Sequence, residues 1–180
     1  GERGTIVKTL STTTMLNKLG QIYNVPVIET GVGFKFVAPK MTETNALVGG
    51  EESGGIAVKG HLPERDGVLN SLLLAQVMAD AGQTLGELVG ARQRLFPASG
   101  EINREITDTK AVSARVHDHY AKAARAIDFT DGLSMEFDQW RFNLRGSNTE
   151  PLVRLNVESR GSESLMRDKT AEVLQLMAKA

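Results

Sequence analysis

The five residues Phe96-Pro-Ala-Ser-Gly100 constrain this chain most, because the apolar pattern changes character across them. Proline lacks a backbone donor and glycine admits positive φ, so a segment carrying both interrupts a helix or strand. Ahead of it, strand-like and helix-like stretches alternate. Gly4-Thr-Ile-Val-Lys-Thr-Leu10 has a strand's apolar density, and Met15, Leu16, Leu19 and Ile22 follow at helical spacing behind Ser11, the expected N-cap. Val25-Pro-Val-Ile28, Ala46-Leu-Val48 and Ile56-Ala-Val58 read as further short strands, with a short helix after the turn Gly31-Val-Gly33. Asp66 and Gly67 open a strongly apolar helix through Leu69, Leu72, Leu73, Val77 and Met78. Thr84-Leu-Gly-Glu87 has the form of a capping box for another helix. Such alternation predicts a layered α/β domain.

Beyond the interruption the order is different. The pattern predicts a strand over 101–106, a helix over 108–124, strands near 126–129, 134–144 and 152–158, and a terminal helix over 162–177. Strands grouped between two helices predict a small α+β domain with an antiparallel sheet. The expected organisation of the 180 residues is therefore a three-layer α/β/α domain with a mixed sheet over 1–97, then the small α+β domain over 98–180. Domains of this size lie near the lower end of independent stability.

Composition removes several function classes. A net charge of −1 lacks the basic excess that non-specific nucleic-acid or anionic-membrane binding needs, so neither is an expected partner. No apolar run approaches the roughly 20 residues of a spanning helix. The absence of cysteine removes disulfide and thiolate chemistry and fits a reducing compartment. No secretory signal opens the chain, and the polar Gly1-Glu-Arg-Gly4 reads as a cut end, so the expected location is cytoplasmic.

Two loops carry the chemistry. Arg145-Gly-Ser-Asn-Thr-Glu-Pro151 lies between the strand-like Trp140-Arg-Phe-Asn-Leu144 and Leu152-Val-Arg-Leu-Asn-Val157. Arg145 offers a planar fork of donors suited to phosphate, Gly146 permits close approach, and Ser147, Asn148 and Thr149 add short side-chain donors. Successive backbone N–H groups in such a turn can form an anion-binding concavity, although an ordinary polar turn uses the same residue types. Gly49-Gly-Glu-Glu-Ser-Gly-Gly55 sets carboxylates and a hydroxyl between glycine pairs, a donor set for sugar hydroxyls and equally for a solvated acidic turn. Lys8, late in the first strand with apolar neighbours, is suited to proton transfer or phosphate binding, or is a surface lysine. In His61-Leu-Pro-Glu-Arg-Asp-Gly67, Asp66 favours the dipole of the following helix. His117 and His119 fall on different helix faces and read as surface residues, not as a metal pair.

In this order the two loops resemble the sugar-recognition and phosphate-binding loops of the α-D-phosphohexomutases, the phosphoglucomutase and phosphomannomutase family. The resemblance runs the length of the chain and covers only the C-terminal half of a whole family member, its third and fourth domains. It implies that Glu51 and Ser53 hold adjacent hydroxyls of a hexose and that Gly33 lines the substrate. It also implies that Lys8 and Arg65 give electrostatic or acid/base support, and that Arg145, Gly146, Ser147, Asn148 and Thr149 bind phosphate. The family's phosphorylated serine in a Ser-His-Asn context and its Asp-Gly-Asp metal loop have no counterpart here, since Asp66-Gly67 and Asp131-Gly132 lack clustered carboxylates. The resemblance thus implies recognition without the nucleophile and no metal site in this chain. Mg²⁺ is expected outside the chain, hexose 1,6-bisphosphate as the parent's activator, hexose phosphate as substrate, and the N-terminal half of the same protein as partner. A non-catalytic phosphosugar-binding module acting alone would use the same residues.

Overall fold

A computed structural model describes residues 1–106, 108–147 and 150–178. They divide into two compact units, Gly1–Ala91 and Arg92–Ala180.

In the first unit β1 (Ile6–Thr9) is flanked by parallel partners β2 (Val27–Thr30) and β3 (Val48–Gly50), and β4 (Ile56–Val58) closes the edge antiparallel to β3, giving the order β2-β1-β3-β4. This is the expected mixed sheet. Alternation along β1 separates two environments. Val7 joins Phe34, Val37 and Met41 of α2 (Phe34–Thr44), with Ala46 and Ala57, in the apolar core. Lys8 points the other way, toward Glu29 on β2, and Glu29 accepts a hydrogen bond from Asn17 of α1 (Met15–Tyr23). Helices α1 and α2 therefore cover opposite faces of the sheet.

Ser11 does not cap α1. Thr14 occupies the cap position without a side-chain bond, while Thr13 Oγ1 accepts from the Met15 N–H at 3.1 Å. The reason is a competing hydroxyl cluster: Thr9 Oγ1 lies 3.2 Å from Ser11 Oγ and 2.8 Å from Thr12 Oγ1, closing the turn that leaves β1. The other two helix starts are as expected. Asp66 Oδ1 accepts from the Val68 and Leu69 N–H groups to open α3 (Gly67–Ala81), and Thr84 and Glu87 bond reciprocally at the start of α4 (Leu85–Gln93). α3 is rich in apolar side chains, yet it buries no residue; Val68, Leu72 and Val77 are exposed.

The second unit is an antiparallel sheet with the order β5-β9-β8-β7-β6 and two helices. Its strands are β5 (Ala98–Glu105), β6 (Ala126–Asp128), β7 (Leu133–Glu136), β8 (Trp140–Gly146) and β9 (Leu152–Ser159), with helices α5 (Thr109–Tyr120) and α6 (Glu163–Ala178). Alternate residues of β8 and β9 (Trp140, Phe142, Leu144, Val153, Leu155, Val157) pack with Val112, Val116 and Tyr120 of α5 and Val173 and Leu176 of α6.

Three expectations need adjustment here. β5 begins at Ala98, inside the Pro-Gly segment taken as an interruption, because that segment forms an irregularity within the β5–β9 pairing and not a gap. α5 ends at Tyr120, short of residue 124. The stretch 134–144 is two strands joined by a tight turn: the Phe137 N–H donates to the Trp140 carbonyl at 2.9 Å, and the two rings stack with centroids 4.2 Å apart.

Candidate functional site

An open cavity of about 420 Å³ in the first unit is lined by Gly33, Phe34, Lys35, Ala38, Glu51, Glu64 and Arg65, a volume within the range of small-molecule sites. It gathers three residues singled out from distant parts of the sequence: Gly33, Glu51 and Arg65. Each arrives by a different route. Gly33 precedes α2 with φ 130°, a conformation that side chains of L-residues rarely adopt, and so turns the chain from β2 into the helix. Phe34 and Lys35 then present the first turn of α2, the positive end of the helix dipole.

Glu51 follows β3 and heads a tight loop. Its N–H donates to the Gly55 carbonyl at 2.9 Å, and its carbonyl accepts from the Gly54 N–H at 3.1 Å. A Cβ at Gly55 would collide with Arg65 Cδ and stand 3.0 Å from Glu51 Oε2, so glycine there lets the loop and Arg65 lie together. The Glu51 side chain is only 7 % exposed, against 56 % for Arg65, whose Nη1 lies 3.5 Å from Glu51 Oε2. The Arg65 guanidinium also sits over the Phe34 ring, 5.6 Å from its centroid, which holds a cation at the mouth of the cavity. Behind it, Asp66 caps α3, and its Oδ2 accepts from His61 Nε2 at 3.0 Å. The Leu69 N–H bond, with those from His61 and Val68, holds the Asp66 carboxyl below the usual carboxylate range against the opposing effect of burial.

Two other expected residues lie away from this cavity's lining. Ser53 is exposed in the turn beyond Glu51. Lys8 is wholly enclosed; its Nζ donates to the Thr12 carbonyl at 3.0 Å and pairs with Glu29 Oε1 at 3.0 Å. Periodicity did not identify Lys35, Ala38 or Glu64 as lining residues, because only the packing of α2 beside the 51–55 loop brings them together.

The second loop is built differently from a freely presented turn. Arg145 and Gly146 are the last residues of β8, opposite Arg154 and Val153 of β9. Arg145 Nη2 donates to Glu101 Oε2 at 2.6 Å and its side chain is 14 % exposed, so it is anchored in the sheet. A Cβ at Gly146 would meet Thr109 Oγ1 at an ordinary 3.7 Å, so local space does not demand glycine. The Ser147 N–H is engaged by the Leu152 carbonyl at 2.8 Å, and its hydroxyl accepts from the Glu150 N–H at 3.3 Å. Asn148 and Thr149 lie outside the described residues. The sequence reading missed Glu101 and Arg154, which enter through sheet register alone.

Among the described residues no three His, Asp or Glu side chains converge where a metal ion could be held, and no helix is long and apolar enough to cross a membrane.

A family profile described as phosphoglucomutase/phosphomannomutase, alpha/beta/alpha domain III matches residues 1–96, and one described as the C-terminal domain of the same family matches residues 101–176. A Salmonella montevideo phosphomannomutase is 49% identical over 145 residues, covering 81% of this chain and 32% of the relative. A Vibrio cholerae phosphomannomutase is 38% identical over 156 residues, covering 86% and 34%. The chain thus spans about a third of the length of these relatives. Among solved structures, a Burkholderia thailandensis phosphoglucomutase/phosphomannomutase family protein superposes with a TM-score of 0.77 at 22% identity, over 96% of this chain and 37% of that one. The Paramecium phosphoglucomutase parafusin shares the fold, with a TM-score of 0.74 at 16% identity over 96% and 37%. With two successive domain profiles matched in order along most of its length, this chain belongs to the phosphoglucomutase/phosphomannomutase family.

Proposed function

We propose that this chain is the sugar- and phosphate-recognition part of a mutase that interconverts hexose 1-phosphate and hexose 6-phosphate through a bisphosphorylated intermediate, with mannose or glucose as the sugar. The observation that carries the reading is the meeting of Gly33, Glu51 and Arg65 around one cavity. A bisphosphorylated sugar has to be held either way round. One site must then grip hydroxyls usable in both orientations, and another must grip whichever phosphate is not reacting. In this reading residues 1–97 supply the first and residues 98–180 the second.

Glu51 and Ser53 take sugar hydroxyls, the recessed carboxylate of Glu51 accepting from them. Arg65 meets phosphate charge at the rim, where a positioned cation counts most for phosphoryl transfer. Lys8 supports the site from inside, by holding β1 to the Thr9–Thr12 turn and to Glu29. Arg145, Gly146 and Ser147, with Asn148 and Thr149, form the phosphate site. The phosphorylated nucleophile and the Mg²⁺ that stabilises transferring charge belong to the remainder of the parent protein, with hexose 1,6-bisphosphate as its activator.

The chain is tested by titration with glucose 1,6-bisphosphate and with inorganic phosphate. It is then assayed for glucose 1-phosphate and mannose 1-phosphate conversion with Mg²⁺, alone and mixed with a separately expressed N-terminal half. Binding without turnover alone, and turnover on mixing, are expected. Turnover by the chain alone would show a nucleophile within it, and no binding of either probe would remove the recognition role.

A further inference from the structure

Glu101 on β5 touches both arginines at the base of the second loop, one with each carboxylate oxygen: Oε2 accepts from Arg145 Nη2 at 2.6 Å and Oε1 from Arg154 Nη1 at 2.9 Å. We propose that Glu101 is a positioning residue for phosphate recognition, a carboxylate clip that sets the guanidinium of Arg145 in its binding orientation. The inference rests on the phosphate-binding reading of the Arg145–Thr149 segment.

The sheet makes the clip necessary. Arg145 and Arg154 stand directly opposite each other on β8 and β9. Like charges at directly opposed positions repel and turn their side chains apart. Glu101 pairs with Asn156, two residues along β9 from Arg154, so it occupies the diagonal position on the same face, within reach of long side chains. The three side chains are 14 % (Arg145), 30 % (Arg154) and 24 % (Glu101) exposed, which limits solvent screening of their attraction. Arg145 commits one terminal N–H to this contact, out of the five donors a guanidinium carries.

The placement of Glu101 is itself built. Pairing between β5 and β9 shifts register between Ala98 and Glu101, with Gly100 at φ 67°. In that irregularity Ser99 Oγ accepts from the Val157 N–H at 2.9 Å, holding the distortion in place. An irregularity of this kind re-aims the side chain that follows it. The Pro-Gly segment that interrupts the apolar pattern is therefore the device that aims Glu101 at Arg154 and Arg145.

The sign of a substitution separates positioning from plain attraction. Glu101→Gln keeps the shape of the side chain and removes its charge, so the site gains positive charge. Attraction alone then predicts tighter phosphate binding. Positioning predicts weaker binding, because Arg145 is no longer held in one orientation. With the binding-competent arrangement reduced to one in roughly three to ten, affinity falls about three- to tenfold.

The test uses the full chain and inorganic phosphate, measured by titration calorimetry on the wild type, Glu101→Gln, Arg145→Ala and the double variant. Glu101→Gln is expected to weaken binding by that factor and to have no further effect once Arg145 is absent. Side-chain Nε–Hε NMR signals, recorded without phosphate, supply a second readout: the Arg145 signal is ordered in the wild type and mobile in Glu101→Gln while backbone spectra stay superimposable. Equal or tighter phosphate binding by Glu101→Gln, additivity in the double variant, or an unchanged Arg145 signal would overturn the proposal. No phosphate binding by the wild type, or no effect of Arg145→Ala, would instead remove the loop's phosphate reading and this inference with it.

Discussion

The Nζ of Lys8 lies 3.0 Å from Oε1 of Glu29, and the Lys8 side chain is completely enclosed while that of Glu29 is 32% exposed. The pair ties β1 to its parallel neighbour β2, and the same ammonium donates to the Thr12 carbonyl just past the strand. A lysine in such a place is a structural fastener first. Its charge is matched locally by the Glu29 carboxylate and the Thr12 carbonyl.

Lys8→Met keeps most of the buried volume and removes the donor. The Thr12 carbonyl then loses its bond from the ammonium, and a hydrogen bond to a charged group contributes roughly 1.5–3 kcal/mol. Faster amide exchange across β1 and β2 is the expected result. Unchanged exchange, with altered ligand affinity alone, would mean that Lys8 acts on the ligand.

Glu51→Gln tests the cavity. The loop's backbone bonds to Gly54 and Gly55 do not use the carboxylate, so the loop should persist. A hydrogen bond to a charged group contributes roughly 1.5–3 kcal/mol, so affinity for glucose 1,6-bisphosphate should fall about tenfold or more. Titration of the chain with that probe, against inorganic phosphate as control, reads the difference; affinity equal to wild type would remove Glu51 from the site.

The cap at Asp66 makes the start of α3 acid-sensitive. Its carboxyl is held below the ordinary value by the Leu69 N–H first, so its contribution to stability is fully present above that ordinary value. It is lost as pH falls through the lower folded-state value. Asp66→Asn retains a cap acceptor but does not titrate, so it should flatten this part of the stability-versus-pH curve. Melting curves of both proteins between mildly acidic and strongly acidic pH check the sign; the same acid slope in the variant would assign it to other carboxylates.

Trp140, the only tryptophan, stacks on Phe137 and lies in the core of the second unit. Trp140→Ala leaves a large void beside Tyr120 and Phe142 and should cost the second unit about 3–5 kcal/mol. Amide exchange in β8 and β9 measures this, and a loss under about 1 kcal/mol would show that the aromatic cluster collapses around the gap. In the wild type, Trp140 fluorescence follows unfolding of this unit.

Arg145→Ala should weaken inorganic phosphate binding roughly ten- to a hundredfold. It also removes one of the two arginines that pair with Glu101 among the described residues, so a modest stability loss accompanies it. Stability loss without any change in phosphate affinity would make Arg145 a structural residue of the sheet.

Local rules made much of this protein legible in advance. The Asp66 cap and the Thr84–Glu87 capping box depend on residues within one turn of each other, and both helices start where those residues stand. The apolar alternation of β8 and β9 likewise carries its own face assignment, which the core of the second unit follows. Gly33, Glu51 and Arg65 could be named as candidates from residue chemistry and resemblance, but their meeting around a cavity is a product of β2, β3 and the α3 start converging at one end of the sheet. What stayed hidden depends on partners far apart in the chain. Whether Lys8 is a surface cation or a buried fastener turns on Glu29 reaching it across a parallel pair, which no local pattern encodes. Arg145 looked like a presented loop residue until sheet register set it beside Arg154 and the Gly100 irregularity brought Glu101 to both. Sequence alone determines which residues can donate, accept or cap, because those are properties of side chains and their near neighbours. Tertiary structure decides which of them are spent on each other, because a charge is neutralised by whatever the fold places within about 3 Å of it.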